Sequence, residues 1–329
     1  MINNVFKNKV VLVTGAGGSI GSELCTRLLQ LGVHRLKCYD ISEYSLYRLA
    51  QRTDDDPRIR YLLGDVRDRE RLERAVASSD FVIHTAALKH VKYCEFNPDE
   101  AIKTNVVGTQ NVVDACRKHG VSHCLLISTD KAVNPTSVMG TTKLLAEKIF
   151  INAPERNSKD SSNKTKFTVV RFGNVFGSAG SVVETFYKQI SSGKKITLTN
   201  EDISRYFMSI KTACDLVLDC INLSKGERET PVFILKMKKL KIKDIAERMN
   251  TALQKTVKLQ YEITGLNRGE KFDESLFTDF ESQFMKEEGE YLVVTKHKQS
   301  ADFSIEENFM SRKAVDVLIN EWLDRNSEV

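Results

Sequence analysis

The sequence predicts an α/β fold in which a doubly wound parallel sheet carries a smaller C-terminal lobe. Two observations lead to this fold class. Strand-like and helix-like patterns alternate through the first half of the chain, and each strand is a nearly continuous apolar run. Strands of this kind are typical of parallel sheets that helices cover on both faces, because neither face of the strand meets water.

The alternation can be followed element by element. A β-branched run at 9–14 ends in glycines, and apolar residues then recur at helical spacing over 19–31. Further strands are predicted at 36–40, 60–63, 81–84, 124–128 and 167–172, and further helices at 43–52, 69–77, 98–119 and 138–151. Because helical crossovers connect parallel strands, we expect these strands to share one parallel sheet.

The second half of the chain is less regular. Segment 153–166 contains almost no apolar residue and is predicted to be an exposed loop. Short helices are predicted near 182–190 and 212–223. The basic stretch at 236–243 is interpreted as a solvated or subunit face rather than a binding patch.

Composition excludes several classes of protein. The chain has 329 residues, and 49 Lys and Arg against 44 Asp and Glu leave a net charge of +5, too small a bias to indicate nucleic-acid binding. No run approaches the ~20 apolar residues of a membrane span, and the first residues lack a secretion signal, so a cytoplasmic location is expected. The seven cysteines form no Cys-x-x-Cys pair; they are expected to be buried, reduced thiols, and no metal site is predicted.

A glycine-rich turn joins the first predicted strand to the first helix. Residues 14–21 read Thr-Gly-Ala-Gly-Gly-Ser-Ile-Gly. Glycines at 15, 18 and 21 let the backbone approach a pyrophosphate closely, and the free amides of a helix N-terminus bind that anion. Asp40 ends the second strand, where a carboxylate bonds the adenosine ribose hydroxyls and repels a 2′-phosphate. The pattern predicts a Rossmann-like domain that binds NAD rather than NADP.

The ends of the next two strands carry further cofactor candidates. Asp65-Val66 follows the third strand, and Thr85-Ala86-Ala87 follows the fourth. Together with the glycine spacing and His84, these residues resemble the extended short-chain dehydrogenase/reductase family. The predicted cofactor contacts are Gly15, Gly17, Gly18, Ser19, Ile20, Gly21, Asp40, Asp65, Val66, Thr85, Ala86 and Ala87, with Asn105 and Lys143 added by the resemblance.

Seven further segments narrow the resemblance. They are 86–91 (Ala-Ala-Leu-Lys-His-Val), 128–135 (Ser-Thr-Asp-Lys-Ala-Val-Asn-Pro), 139–143 (Met-Gly-x-Thr-Lys), 171–175 (Arg-Phe-Gly-Asn-Val), 177–182 (Gly-Ser-x-Gly-Ser-Val), 205–208 (Arg-Tyr-Phe-Met) and 268–271 (Arg-Gly-Glu-Lys). In this order they look like the nucleotide-sugar 4,6-dehydratases of polysaccharide biosynthesis that act on N-acetylglucosamine. The resemblance covers about residues 7–280.

One position departs from the wider family pattern. Short-chain dehydrogenase/reductases normally carry Tyr-x-x-x-Lys, and this sequence has Met139 and Lys143 in that register. A thioether has no dissociable proton, so Met139 cannot be the acid/base. Dehydratases with Met at this position retain the configuration at C5, and the resemblance therefore implies the retaining branch. The short forms without a membrane anchor feed legionaminic-type pathways.

The resemblance also implies a reaction and a division of the chain. C4 of a UDP- or GDP-linked sugar is oxidised transiently, water is lost across C5 and C6, and hydride returns to C6, which makes the enzyme a hydro-lyase with tightly bound, recycled NAD. Residues 1–172 would bind NAD, with parts of 200–230 packing back on them, and 173–329 would form mainly a substrate-binding lobe. A homo-oligomer, a dimer or larger, is expected.

The catalytic candidates follow the fifth strand. Lys131 is predicted to be the base for C5, for which it must be neutral, and Asp130 to be the acid for the C6 oxygen, for which it must keep its proton. Thr129 would bond the C4 oxygen, and Lys143 the nicotinamide ribose. Asp130 or a water ordered by Thr129 and Lys143 would take the C4 hydroxyl proton.

Substrate contacts are predicted mainly in the second half of the chain. Arg205, Arg268 and Glu270 are expected at the diphosphate and ribose, because a guanidinium suits phosphate and a carboxylate suits vicinal hydroxyls. The full predicted set is Lys89, His90, Asn174, Ser181, Val182, Thr197, Arg205, Arg268 and Glu270.

Two alternative functions remain open at this stage. A nucleotide-sugar epimerase would use the same scaffold, but it needs no acid at C6, and the adjoining Asp130 and Lys131 argue against it. A non-catalytic NAD-binding protein that has lost its tyrosine is the other alternative.

Overall fold

This computed structural model describes residues 4–154, 165–224, 229–255, 258–295, 298 and 308–327. Over these residues the strands are β1 (Val10–Thr14), β2 (Arg35–Asp40), β3 (Ile59–Leu63), β4 (Phe81–His84), β5 (His123–Thr129), β6 (Lys166–Phe172), β7 (Asn174–Val175), β8 (Ile196–Leu198), β9 (Ser204–Met208), β10 (Val232–Leu235), β11 (Lys238–Lys241), β12 (Tyr261–Ile263), β13 (Met285–Glu288) and β14 (Tyr291–Val294).

The helices alternate with these strands. They are α1 (Ser19–Gln30), α2 (Glu43–Arg52), α3 (Arg69–Val76), α4 (Val91–Phe96), α5 (Pro98–Ala101), α6 (Gly108–Lys118), α7 (Val138–Ile151), α8 (Val182–Ser191), α9 (Ile210–Leu223), α10 (Ile242–Ala252), α11 (Asp279–Ser282) and α12 (Arg312–Ser327). A π-helical segment, Ile102–Val107, and a 3₁₀ turn, Asp130–Ala132, complete the set for the described part of the chain.

The main sheet confirms the predicted doubly wound α/β fold. Its order is β13-β14-β10-β6-β5-β4-β1-β2-β3. The strands from β3 to β10 run parallel, and the hairpin β13–β14 continues the sheet antiparallel beyond β10. The chain leaves β1 toward β2 and β3 and then returns to β4, so the strand order reverses beside β1. In sheets of this kind, ligands bind outside the carboxyl ends of the strands at that reversal.

The second half of the chain contributes to two cores. Strands β10, β13 and β14 and helix α9 join the main sheet and its apolar core. A second apolar cluster, which includes Phe176, Phe186 and Trp322, lies among α8, α10 and α12. Residues after 172 therefore contribute both to the main sheet and to the second cluster.

Local capping explains where several helices begin. Ser209 accepts a hydrogen bond from the backbone N–H of Thr212, so α9 begins at Ile210, two residues before the predicted start. Ser137 caps α7 in the same way by accepting from the N–H of Gly140. An N-cap hydroxyl satisfies an amide that the first helical turn leaves free.

Two predicted elements differ from the structure. The predicted helix 98–119 is interrupted by the π-helical segment, because apolar spacing does not report a wider turn. The basic stretch 236–243 is not a uniformly solvated face: Lys239 is 2% exposed and pairs with both carboxylate oxygens of Asp273 at 2.9 Å. Its ammonium also lies 5.3 Å from the ring centroid of Tyr206. Pairing of β11 with β9 turns this lysine inward.

Three further predictions concern the cysteines, the loop at 153–166 and membrane-spanning segments. All seven cysteines are buried and free, as predicted. Most of the predicted loop 153–166 lies outside the described residues. No helix in the described part of the chain is long and apolar enough to cross a membrane.

Candidate active site

The glycine turn after β1 is packed so tightly that side chains do not fit. Gly15 has a φ of +67°, and a Cβ there would lie 2.7 Å from the backbone N of Ala86. A Cβ on Gly21 would lie 2.1 Å from the carbonyl oxygen of Gly15. The hydroxyl of Thr85 donates to the Thr14 carbonyl at 2.7 Å and holds β4 against the turn. Gly18 caps α1 without a side chain, which leaves the first amides of the helix available to an anion.

Asp40 braces the same turn from the end of β2. One carboxylate oxygen accepts from the N–H of Gly17 at 2.9 Å, and the other accepts from Ser42 at 2.9 Å. Asp65 is paired with Arg67, while Val66 is buried against Gly108. A narrow glycine cradle beside a carboxylate fits a dinucleotide, so these residues would hold the diphosphate and the adenosine ribose of NAD.

The tight packing at Gly21 leads to a prediction. In Gly21→Ala, the new methyl group would push Gly15 out of the turn, and we expect NAD affinity to fall about tenfold or more. Cofactor content after purification and titration of NAD into the cofactor-free protein measure this loss. Gly193→Ala is the control, because Gly193 has a positive φ, which Gly21 does not, but nothing within 4 Å of the added carbon. This variant carries backbone strain without a steric clash, so its NAD affinity should stay that of the wild type. Wild-type affinity in Gly21→Ala would contradict the assignment of the cradle.

The predicted catalytic residues lie together at the carboxyl end of β5. Thr129 donates to Oδ1 of Asp130 at 2.8 Å, and the ammonium of Lys131 lies 3.0 Å from the same oxygen. Lys131 also donates to the amide oxygen of Asn174 at 3.2 Å. Asp130 is 0% exposed, and its Oδ2 has no hydrogen-bond partner. This free oxygen is where a substrate hydroxyl could be accommodated.

Helix α7 brings Met139 and Lys143 to the same place. Gly140 lets the helix pack closely, since a Cβ there would lie 2.3 Å from the carbonyl oxygen of Lys131. Met139 is 3% exposed and packs with Cys94 and Ala101. Lys143 donates to the carbonyl of Ile127 at 2.6 Å.

Burial changes the titration of Lys143. The side chain is 6% exposed, and burial lowers its pKa from 10.5 to about 8. Between these two values the unfolded chain binds a proton that the folded chain has released, so stability rises with pH in that window. Relative to Lys143→Met, the cofactor-free protein should gain up to about 3 kcal/mol of unfolding free energy from pH 8 to 10.5. Urea unfolding of both proteins at matched pH values tests this, and parallel pH dependences would contradict it.

Asn105 anchors the segment after β4. Its side chain accepts from the N–H of Leu88 at 2.8 Å and donates to Thr142 on α7 at 3.0 Å. The π-helical segment carries this residue, which is 1% exposed, so the asparagine links α7 to the strand end beside the cradle.

Several residues of the predicted substrate set lie where the loop before α8 meets the glycine turn and the segment after β4. Lys89 donates to the carbonyl of Ala179 at 2.7 Å, and the N–H of Ala179 donates to Ser19 of the glycine turn at 3.0 Å. His90 lies against Gly180 of the same loop. Ser181 and Val182 start α8 directly afterwards, and the hydroxyl of Ser181 is buried without a partner.

The remaining predicted substrate residues are more dispersed. Arg205 is 7% exposed and donates to the carbonyls of Lys271 and Phe272, with Glu270 at 3.6 Å. Arg268 is exposed and lies 3.4 Å from Glu95. Thr197, on β8, accepts from Gln189 at 2.9 Å.

Two arrangements were not predicted from the sequence. Glu274 is 5% exposed and lies 3.3 Å from the ammonium of Lys271; burial raises the pKa of its carboxyl group, on which the charges of Lys131 and Asp130 also act. Arg171 is buried between Glu147 of α7 and Glu281 of α11. The segment 268–271 was among those that resemble the dehydratases, but no sequence pattern indicated a role for Glu274, three residues after it.

Comparisons with known proteins show which family the chain belongs to. Residues 11–296 match the family profile described as polysaccharide biosynthesis protein. A protein of Methanocaldococcus jannaschii, named an uncharacterized membrane protein, is 43% identical over 89% of this chain and 87% of its own. The UDP-N-acetylglucosamine 4,6-dehydratase (inverting) of Campylobacter jejuni is 37% identical over 92% of this chain and 88% of its own.

A solved structure extends the similarity to the fold. Pen from Bacillus thuringiensis is 35% identical, covers 97% of this chain and 99% of its own, and superimposes with a TM-score of 0.88. Family profile, curated relatives and fold agree over most of the length. The chain belongs to the polysaccharide biosynthesis protein family, within the extended short-chain dehydrogenases/reductases.

Proposed function

We propose that this protein is an NAD-dependent nucleotide-sugar 4,6-dehydratase, a hydro-lyase that converts UDP-N-acetylglucosamine to a 4-keto-6-deoxy sugar. The observation that carries the proposal is the cluster of Thr129, Asp130 and Lys131 at the end of β5. It sets an acid and a base side by side, with one carboxyl oxygen of Asp130 free. A relative of 37% identity that bears the name of this activity supports it.

The proposed chemistry assigns one task to each side chain. Bound NAD would supply reversible oxidation at C4, and the C4 hydroxyl proton passes to Asp130 or to a water ordered by Thr129 and Lys143. The C5 proton next to the resulting ketone is then acidic. Lys131 takes that proton: the C5–H bond breaks and an N–H bond forms. Asp130 gives its proton to the C6 hydroxyl, which leaves as water while the C5–C6 double bond forms. Lys131 returns a proton to C5 when C6 receives the hydride. Thr129, whose hydroxyl donates to Asp130 in this structure, turns to donate to the C4 oxygen and orients the sugar.

Asn174 and Met139 refine this assignment. Asn174 accepts from Lys131 and donates to the carbonyl of Tyr206, so it fixes the direction of the ammonium group. Met139 occupies the place of the usual tyrosine and offers no proton. Because the resemblance to dehydratases with Met at this position implies retention, we propose that the product keeps its C5 configuration, in contrast to the relative from Campylobacter jejuni, which is named an inverting enzyme.

The decisive experiment is an incubation without added reductant. Purified protein is incubated with UDP-N-acetylglucosamine, and in parallel with the GDP-linked sugar, and the products are analysed by mass spectrometry and NMR. We expect the UDP-sugar to give a product lighter by one water, with the configuration at C5 unchanged. A product of unchanged mass would identify an epimerase, and no conversion of either sugar would overturn the proposal.

We also propose that the chain forms a homo-oligomer. Exposed apolar side chains of Tyr93, Phe96, Ile102 and Leu145 lie on α4, the π-helical segment and α7. Neighbouring exposed apolar groups of this size are typical of protein–protein contacts. Light scattering during gel filtration gives the mass in solution, and a monomer at micromolar concentration would refute the proposal.

A further inference from the structure

Lys271 and Phe272, which follow β12, are held by hydrogen bonds near the 3₁₀ turn Asp130–Ala132. The ammonium of Lys271 donates to the carbonyl of Val133, which follows the 3₁₀ turn, at 2.6 Å. Arg205 of β9 donates to the carbonyls of Lys271 at 2.6 Å and Phe272 at 2.9 Å. These bonds hold residues 271 and 272 next to the 3₁₀ turn that contains Asp130 and Lys131.

Glu274, two residues after Phe272, has a buried carboxyl group. Glu274 is 5% exposed, and its Oε2 lies 3.3 Å from the ammonium of Lys271 without a hydrogen bond. Oδ2 of Asp130 is likewise buried without a partner. Two buried carboxyl oxygens without a hydrogen bond are unusual, because burial of such a group costs free energy, and the one on Glu274 has the ammonium of Lys271 within ion-pair distance.

The charges around Glu274 come from several elements. Burial raises the pKa of Glu274, and the nearby carboxylate of Asp130 raises it further. Lys131 of the 3₁₀ turn, Lys271 of the same segment and Arg205 of β9 lower it. The carboxyl group of Glu274 therefore responds to both members of the pair that moves protons in the proposed reaction.

We propose that Glu274 is a positioning residue for proton transfer, and that its negative charge keeps the proton on Asp130 and favours proton uptake by Lys131. This inference rests on the proposed dehydratase function. In the elimination step Lys131 becomes an ammonium ion and Asp130 becomes a carboxylate. A second carboxylate stabilises that ammonium and, before the step, opposes early ionisation of the acid.

The pH profile of the reaction distinguishes this role from a merely structural one. Glu274→Gln keeps the size of the side chain and removes its charge, so both limbs of the kcat/KM profile should move to lower pH by about one unit. Lys271→Met removes a positive charge from the same centre, so its limbs should move to higher pH. Melting temperatures of both variants are measured alongside. An unchanged pH profile of kcat/KM in Glu274→Gln would overturn the proposal.

A second measurement does not require turnover. Carboxyl carbons are labelled with ¹³C in the NAD-loaded protein, and the Glu274 signal, identified by its absence in Glu274→Gln, is titrated by NMR. In Lys131→Met the Glu274 signal should titrate at higher pH than in the wild type, because a positive neighbour has been removed. An identical titration in the two proteins would refute the coupling. If the wild type converts no sugar, the proposed function fails while this titration still decides whether Glu274 and Lys131 interact.

Discussion

Lys131→Met should lower kcat by about three orders of magnitude while the protein still folds and holds its cofactor. Methionine fills a similar volume but cannot accept the C5 proton. The ammonium contacts Asp130 and Asn174, neither of which belongs to the glycine cradle, so cofactor binding should survive. Steady-state turnover of UDP-N-acetylglucosamine, followed by mass spectrometry, measures the loss.

Isotope exchange separates the base from other roles. In D₂O the wild type should place deuterium at C5 of the product, and Lys131→Met should lose exchange and turnover together. Lys103→Met is the matched control, because Lys103 is more than half exposed and pairs only with Asp99 and Glu100 among the charged groups of the described residues. Normal turnover in Lys131→Met would exclude Lys131 as the base.

Arg171→Met should cost about 3–5 kcal/mol of unfolding free energy. Arg171 donates to both oxygens of Glu147, at 3.1 and 2.7 Å, and to both oxygens of Glu281, each at 3.0 Å. Its side chain is 2% exposed and that of Glu147 is 1% exposed. Removing the guanidinium leaves the buried carboxylate of Glu147 facing that of Glu281, which is 18% exposed, so water replaces the lost partner only incompletely.

Urea unfolding across a pH series tests this prediction. The difference in unfolding free energy between the wild type and Arg171→Met should become smaller as pH falls, because protonation neutralises the two carboxylates that have lost their partner. The triple variant Arg171→Met, Glu147→Gln, Glu281→Gln should recover most of the lost stability, since no charge remains buried without a partner. A destabilisation that is equally large in the triple variant would show that packing, rather than charge, is responsible.

The sequence predicted the parts of this protein that depend on neighbours along the chain. Apolar runs and the glycine turn predicted the parallel sheet, and the position of Asp130 and Lys131 directly after a strand followed from the same pattern. Lys239 was assigned to a solvated stretch because the pattern of charges does not reveal that β9 and Asp273 would enclose it. Glu274 reaches the site only through the bonds of Lys271 and Arg205 to distant backbone. Such contacts depend on tertiary packing, which local periodicity does not encode.

The hairpin β13–β14 also forms one edge of the main sheet. An open sheet ends in unpaired backbone groups that can recruit strands from other chains, which leads to aggregation. Here the last strand at one edge is short and carries Lys286, Glu287 and Glu288 in succession. Another strand could add there only by lining up against three consecutive charges. The hairpin therefore protects a long parallel sheet from growing by edge-to-edge association, independently of any catalytic role.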